Sequence, residues 1–161
     1  MIPYKELTTI VPTGLREHLG IPVIQGNQMA PAPAYPYSTY NVTTIAGENN
    51  GTWQQHPDGK DRKLVRSVWS FSSLSNDWDE SVANAIKARE WFEHIGRAWL
   101  SERGITVQSV TQVTNRDNIL TVEYERKNGF DVVFYVYDEV DSLVSTNGYI
   151  ESADVAHEIT N

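Results

Sequence analysis

Positions 130–137 read Phe-Asp-Val-Val-Phe-Tyr-Val-Tyr, and this stretch decides the fold. Because side chains alternate along a strand, the even positions put two Phe and two Val on one face. The odd positions from 133 onward put Val, Tyr and Tyr on the other face. A small antiparallel sheet normally leaves one face to water, so two apolar faces predict that both are covered, by a helix or by another subunit.

Alternating segments elsewhere in the chain predict partners for this strand. We predict further strands at 38–45, 63–73, 105–114 and 119–126. In the second of these, the more apolar face carries Val65, Trp69 and Phe71. Asn128-Gly129 is a strong hairpin dipeptide, and it predicts a tight turn between the last two strands.

Two segments have helical spacing. Residues 4–19 carry apolar side chains at helical intervals, and Pro12 predicts a kink or a restart within that helix. Residues 78–103 predict one long helix, which Asp77 can cap with Glu80 at the third helical position. The apolar stripe of this long helix consists of Val82, Ala85, Ile86, Phe92, Ile95 and Trp99.

Two connections and the tail differ from the rest in composition. Residues 30–37 contain three prolines and predict a stiff, extended lead-in to the next strand. Residues 46–62 are rich in Gly, Asn, Asp and Gln and predict a long, mobile hairpin connection with a tight turn at 58–59. We expect a single domain over 1–140. The extension at 141–161 has too few apolar residues to order itself, and we expect it to dock on a neighbour or stay mobile.

Composition excludes several classes of function. The chain has 161 residues, of which 21 are acidic and 13 are basic, for a formal charge of −8. A protein that holds duplex DNA through its phosphates needs surplus Lys and Arg, so this balance argues against that function. The sequence has no cysteine, which excludes disulfides and thiolate chemistry. It has no secretion signal and no apolar run near the roughly 20 residues of a membrane span, so we expect use without export.

Motifs for catalytic chemistry are absent from the sequence. There is no Gly-x-Ser-x-Gly elbow, Walker loop or dinucleotide fingerprint. The four histidines lack metal-ligand spacing. Glu90 and His94 lie one helical turn apart, but without a third ligand we interpret them as an exposed helical pair. We therefore predict no catalytic residue, no metal and no cofactor.

One ordered set of motifs resembles a known family. It comprises an N-terminal helix, Asn-Gln-x-Ala-Pro-x-Pro-x-Tyr-Pro-Tyr at 27–37, a long loop, a strand, a long helix and Gly-Phe-Asp-Val at 129–132. Over about residues 5–139 this order resembles the neck or tail terminator proteins of tailed bacteriophages, and the tail after Val140 lies outside the resemblance. The resemblance implies an α/β fold of the α+β type, with a small, mostly antiparallel sheet flanked by an N-terminal helix and one long central helix.

The resemblance also implies a function. Copies of the chain, usually six, would form a structural virion ring without enzymatic activity that caps the tail tube and joins it to the head. Its partners would be the chain itself, the tail tube protein, the head-to-tail connector or stopper and, in sheathed tails, the sheath protein. The ring would assemble in the host cytoplasm, neither secreted nor membrane-bound. Three alternatives stay open: a stopper or other neck adaptor, a monomeric protein-binding module using the proline- and tyrosine-rich segment, and a metal-dependent hydrolase using Glu90 and His94.

The net negative charge has a functional explanation if DNA passes through such a ring. An acidic wall avoids trapping phosphates, whereas a basic wall binds them. We therefore expect acidic side chains to face the channel without binding DNA specifically. The candidates for this role are Glu123, Glu125, Asp138, Glu139 and Asp141.

Aromatic and loop residues are the candidates for contacts between subunits or with the tube. The loop at 46–62 is a candidate by its position, and the aromatic side of 130–137 is a candidate for the subunit interface. The interface candidates are Trp53, Asp58, Tyr35, Tyr37, Tyr135 and Tyr137.

Overall fold

The computed structural model describes residues 1–47, 51–117 and 125–142. The helices are α1 (Tyr4–Leu19), α2 (Trp78–Glu93) and α3 (Ile95–Ser101). The strands are β1 (Val23–Gln25), β2 (Tyr37–Gly47), β3 (Gln54–Gln55), β4 (Lys60–Ser75), β5 (Thr106–Val110), β6 (Thr114–Asn115) and β7 (Arg126–Asp141). These elements form an α+β fold, as the sequence predicts.

The strands form one sheet around a long central pair. The order is β1-β2-β4-β7-β5, while β3 pairs with β4 and β6 pairs with β7. Strands β4 and β7 have 16 residues each and pair without interruption from Lys60 opposite Asp141 to Ser75 opposite Arg126. Only β1 and β2 run parallel among the described strands. The prediction of a mostly antiparallel sheet is therefore confirmed.

The three described helices lie on one side of this sheet and build the core there. The predicted apolar face of β7 is confirmed, because Phe130, Val132, Phe134 and Val136 are at most 2% exposed. Phe92 of α2 reaches into the same layer, with its ring centroid 4.7 Å from that of Phe71. Burying an aromatic side chain contributes about 1.5–3 kcal/mol, so this stacked layer dominates the stability of the domain.

The predicted turn at Asn128-Gly129 is wrong, because both residues lie inside β7. They pair with Ser73 and Ser72 of β4. A side chain at Gly129 would collide with the backbone carbonyl of Phe71, so the glycine permits close approach of two strands. Asn128 is buried and donates from Nδ2 to Ser81 Oγ at 3.0 Å. Residues 119–124 of the strand predicted before this turn lie outside the described residues.

The first helix passes through Pro12 without a restart. A proline in a helix interior removes the hydrogen bond to the carbonyl four residues earlier, here that of Thr8. The hydroxyl of Tyr40 donates to this carbonyl at 3.5 Å, which compensates in part for the missing bond. The helix ends at Gly20, whose positive φ of 70° and N–H bond to the Arg16 carbonyl form a left-handed C-cap.

The single long helix predicted for 78–103 is two helices. The backbone of His94 leaves helical geometry at φ −124° and ψ −100°, which separates α2 from α3. Gly96 then packs so closely on the Trp91 ring that a side chain there would collide with it. Two members of the predicted apolar stripe, Ile86 and Ile95, are exposed.

The start of α2 agrees with the prediction in part. Asp77 caps the helix by accepting the Asp79 N–H at 3.3 Å. Glu80 does not reach back to the Asp77 backbone but accepts a hydrogen bond from the Ser75 hydroxyl. Ser75 Oγ in turn accepts the Asp77 N–H at 3.1 Å, so the last residue of β4 completes the capping network.

Candidate assembly surfaces

The side of the sheet opposite the helices, called here the open face, is covered by no helix of the described part. Its central cross-strand pairs are Leu64 with Tyr137, Arg66 with Tyr135, Val68 with Val133, and Ser70 with Asp131. The prediction of a layer on each side therefore fails for helices within residues 1–47, 51–117 and 125–142.

One half of the open face is closed by Arg116. Its guanidinium donates to Ser70 Oγ at 2.5 Å and to Asp131 Oδ1 at 3.0 Å, which ties the segment after β6 across the strands. This charge-assisted clip pairs the Asp131 carboxylate, whose side chain stays 41% exposed.

The other half of the open face is apolar apart from the exposed Arg66, and no helix of the described part covers it. We call it the aromatic patch, and it consists of Leu64, Val68, Tyr135 and Tyr137. Tyr137 is 50% exposed and the other three are half-buried. Tyr135 and Tyr137 thus share one face, as predicted, on the strand at the centre of the sheet.

The proline- and tyrosine-rich segment packs on its own chain. Tyr37 is buried where β2 begins, and the Tyr35 ring stacks on it with centroids 5.6 Å apart. The Tyr35 hydroxyl donates to Glu125 Oε2 at 2.6 Å. Burial raises the pKa of the Tyr37 hydroxyl, and the negative charge of Glu125 raises it further. The predicted role as an intramolecular lead-in to a strand is confirmed.

The far end of the β4–β7 pair, called here the charged end, projects beyond β2 and β5 and is flanked on the β4 side by the short strand β3. Strand β2 last pairs at Arg66 and β5 last pairs at Tyr135, whereas β4 and β7 continue to Lys60 and Asp141. The predicted turn at 58–59 is confirmed, with Gly59 at φ 77°. The predicted loop is shorter than 46–62, because β2 extends to Gly47 and β3 pairs with β4.

Ion pairs neutralise most of the charged end. Arg62 contacts Asp58 at 2.6 Å and Glu139 at 3.3 Å, and Lys60 contacts Glu139 at 3.1 Å. The amino group of Met1 lies 3.1 Å from Asp138. The Lys60 ammonium, with a smaller contribution from Arg62, holds the pKa of Glu139 below its ordinary value. Asp141 is exposed at the same end.

The predicted channel residues do not form one cluster. Glu125 precedes β7, whereas Asp138, Glu139 and Asp141 lie at the opposite end of that strand, roughly 40 Å away at about 3.3 Å per residue. Glu123 lies outside the described residues. Trp53 and Asp58 lie toward the charged end, and Trp53 is exposed. The structure therefore separates the candidates into one group beside Tyr35 and Tyr37 and another at the charged end.

The distribution of charge is uneven along the chain. All 13 basic residues but only 16 of the 21 acidic residues lie in the described part, which leaves it a formal charge of −3. The other five acidic residues are Glu48, Glu123, Glu151, Asp154 and Glu158.

The residues considered for metal chemistry lie beside a groove. Glu90 and His94 line a space of about 400 Å³ with His18, Trp91 and Ile95. Within the described ranges, no three His, Cys, Asp or Glu side chains are placed to hold a metal ion. No helix of the described part is long and apolar enough to cross a membrane. Sequence reasoning missed this groove, because the break at His94 that shapes it depends on contacts between helices.

Comparison with known protein families identifies the family of this chain. The profile of the phage neck terminator proteins matches residues 4–161. The chain belongs to this family. The match continues through the C-terminal extension, so the resemblance does not stop at Val140 as the sequence motifs alone suggest. No curated protein matches the chain.

Membership gives the chain a structural role in the phage neck and a place in the virion. It also means that the chain contacts other neck and tail proteins. The surfaces available for these contacts in the described part include the aromatic patch and the charged end.

Proposed function

We propose that the chain is a tail terminator whose copies, six in number by the resemblance, form a ring that caps the tail tube and joins it to the head connector. The observation that carries this proposal is the aromatic patch. It lies on the two longest strands, at the centre of the sheet, and places apolar side chains on the face that a small antiparallel sheet normally exposes to water. Tyrosines are enriched at interface cores, because they bury a large area and keep a hydroxyl for hydrogen bonds.

A closed ring requires two different surfaces on each copy. One surface of a subunit meets another surface of its neighbour, and the rotation closes the ring. We assign the aromatic patch to one surface. Its neighbour would bury on the order of 800 Å² per copy, which is the size of a standard interface and large enough to cover all four side chains.

The charged end supports a specific version of the channel hypothesis. Lys60 and Arg62 are already paired with carboxylates, so they are poorly available to phosphate groups. If this end faces the channel, Asp58 and Glu139 prevent DNA binding by neutralising two basic side chains. Asp141 adds negative charge at the same end, and Glu123 and Glu125 stay candidates for another part of the wall. A structure of the ring with all these carboxylates on its outer rim would contradict this assignment.

Size-exclusion chromatography with light scattering tests the ring, for the protein alone and with purified tail tubes. The double variant Tyr135→Ser, Tyr137→Ser is expected to stay monomeric or to leave the tubes uncapped. The matched control is Ile86→Ser, which removes a similarly exposed apolar side chain from the helix side. Equal assembly of both variants would show that the patch is not a subunit interface.

Electron microscopy of particles made without this protein separates the terminator from its main alternative. Tails of uncontrolled length are expected for a terminator. Tails of normal length that fail to join heads would instead identify a stopper or another neck adaptor. A monomeric peptide-binding module has less support, because Tyr35 and Tyr37 are engaged within the chain.

A further inference from the structure

One edge of the sheet has backbone groups that point away from it. In the parallel pair β1–β2, the Ser38 N–H donates to the Pro22 carbonyl at 2.8 Å, and the Gly26 N–H donates to the Tyr40 carbonyl at 2.8 Å. Residues of a parallel strand alternate between pointing toward the partner strand and pointing away from it. Pro22 and Gly26 therefore both direct their backbone groups toward β2.

Because the orientation alternates along the strand, the backbone groups of Val23 and Gln25 point away from β2. Ile24 shares the orientation of Pro22 and Gly26 and bonds to β2, whereas Val23 and Gln25 direct their N–H and C=O groups outward. Neither residue has a backbone hydrogen-bond partner on that side among the described residues. Two donors and two acceptors are thus available along a short, regular edge.

These outward groups line a groove between β1 and α1. The groove has a volume of about 360 Å³, with β1 on one wall and Thr9, Pro12, Thr13 and Arg16 of α1 on the other. A helix beside a free strand edge leaves a slot in which an extended chain can add as a further strand. Arg16 is exposed and makes no ion pair with any described residue, so the slot favours an acidic occupant.

The opposite edge of the sheet lacks these properties. The pairing of β5 with β7 is irregular between Val107 and Ser109, which indicates a bulge. Bulges disturb the regular spacing of edge groups and discourage strand addition. Of the two strands that end the main order of the described sheet, β1 has the more regular outer edge.

We propose that this groove binds the chain's own C-terminal segment, residues 143–161, as a strand added to β1. The last seven residues of the segment, 155–161, contain Glu158 and no lysine or arginine, which complements Arg16. Val155 and Ile159 supply apolar side chains for the groove. The proposal does not depend on ring assembly, so it can fail while the proposed function stands.

The reach of the chain permits this pairing. Gln25 lies level with Tyr40, Phe71 and Phe130 across the strands, and Phe130 is 11 residues from Asp141. A strand added outside β1 therefore lies about 36 Å along the sheet from the end of β7 and about 19 Å across four strand spacings. The 19 residues after Ser142 can span about 60 Å when extended, so residues 155–161 can reach β1.

Amide hydrogen exchange in the full chain tests the proposal, at concentrations where light scattering shows a monomer. The Val23 and Gln25 amides are expected to exchange within roughly tenfold of the rate of Ile24, which β2 protects. Arg16→Glu is expected to speed exchange at both outward amides, most strongly at low salt. Exchange of Val23 and Gln25 at the rate of free amides would overturn the proposal.

A spin label identifies the occupant, and the absence of native cysteine makes the labelling specific. A nitroxide on Thr9→Cys, at the groove, is expected to broaden the NMR signals of residues 155–161. The control is Ala83→Cys, exposed on α2, which is expected to leave them sharp. Broadening between differently labelled chains in a mixture would assign the groove to a second copy and overturn pairing within the chain, as would equal effects from both labels.

Discussion

On the helix side of β7 the apolar side chains are almost inaccessible to water, whereas on its open side Tyr137 is half exposed and Tyr135 half-buried. Both faces were apolar in the sequence, and both lie on the same strand. The helix side is filled by Phe92 and its aromatic neighbours, and the open side is filled only where Arg116 crosses it. One strand thus stabilises the domain through one face and leaves apolar side chains partly exposed on the other.

Phe92→Ala removes a core side chain on the helix side of β7 and should lower the unfolding free energy more than any other substitution considered. The side chain is fully buried among four aromatic rings, so its removal leaves a cavity. We expect a loss of about 3–5 kcal/mol in the free energy of unfolding, measured by urea denaturation. A loss below about 1 kcal/mol would mean that the layer repacks around the gap.

Gly129→Ala tests the close approach of β4 and β7. The added methyl group meets the Phe71 backbone, which cannot move as a flexible side chain can. We expect a loss of about 1–3 kcal/mol, again from denaturation. Gly51→Ala, at an exposed position outside the strands, should change stability by less than about 0.5 kcal/mol. Similar values for both variants would argue against the crowding at Gly129.

Tyr137→Ser tests how much the open side of β7 contributes to the stability of the monomer. Half of this side chain is already in water, so we expect the unfolding free energy of the monomer to fall by less than about 1 kcal/mol. The measurement belongs at protein concentrations below any association. A loss comparable to that of Phe92→Ala would show that the open face is part of the core.

Glu139→Gln should have the smallest effect and depend on pH. The pKa of Glu139 is lowered in the folded state by Lys60 and Arg62, so the carboxylate stabilises the fold above its unfolded pKa. This contribution disappears as the pH falls through the folded pKa. Wild type and variant should therefore differ slightly at neutral pH and low salt, and the difference should shrink as the pH falls through the folded pKa of Glu139. A difference in unfolding free energy that persists in acid would show that the charge of Glu139 is not its cause.

Local patterns predicted much of the fold. The alternation at 130–137 identified the buried face of β7, and Val65, Trp69 and Phe71 identified that of β4. Asp77 as a helix cap was also predictable, because its partner Asp79 is two residues away. Interactions of this kind are contained within a few residues of sequence.

The errors arose where distant residues decide the geometry. Asn128-Gly129 has the composition of a turn, but the backbone of Phe71 lies against it and Asn128 bonds to Ser81. The helix break at His94 accompanies the packing of Gly96 on Trp91, in contact with α1. The predicted channel carboxylates looked like a group in the sequence, but 12 residues of the extended strand β7 separate Glu125 from Asp138.

By itself, the sequence determined the α+β class, the buried faces of the central strands and the resemblance to phage neck terminators. Those features depend on periodicity and on ordered motifs, which the chain carries locally. Tertiary structure alone decided that the helices share one side, that Arg116 closes half of the other, and that Lys60 and Arg62 are paired with acids. The physical reason is that a sheet brings together residues far apart in sequence, and no local pattern specifies which of them meet.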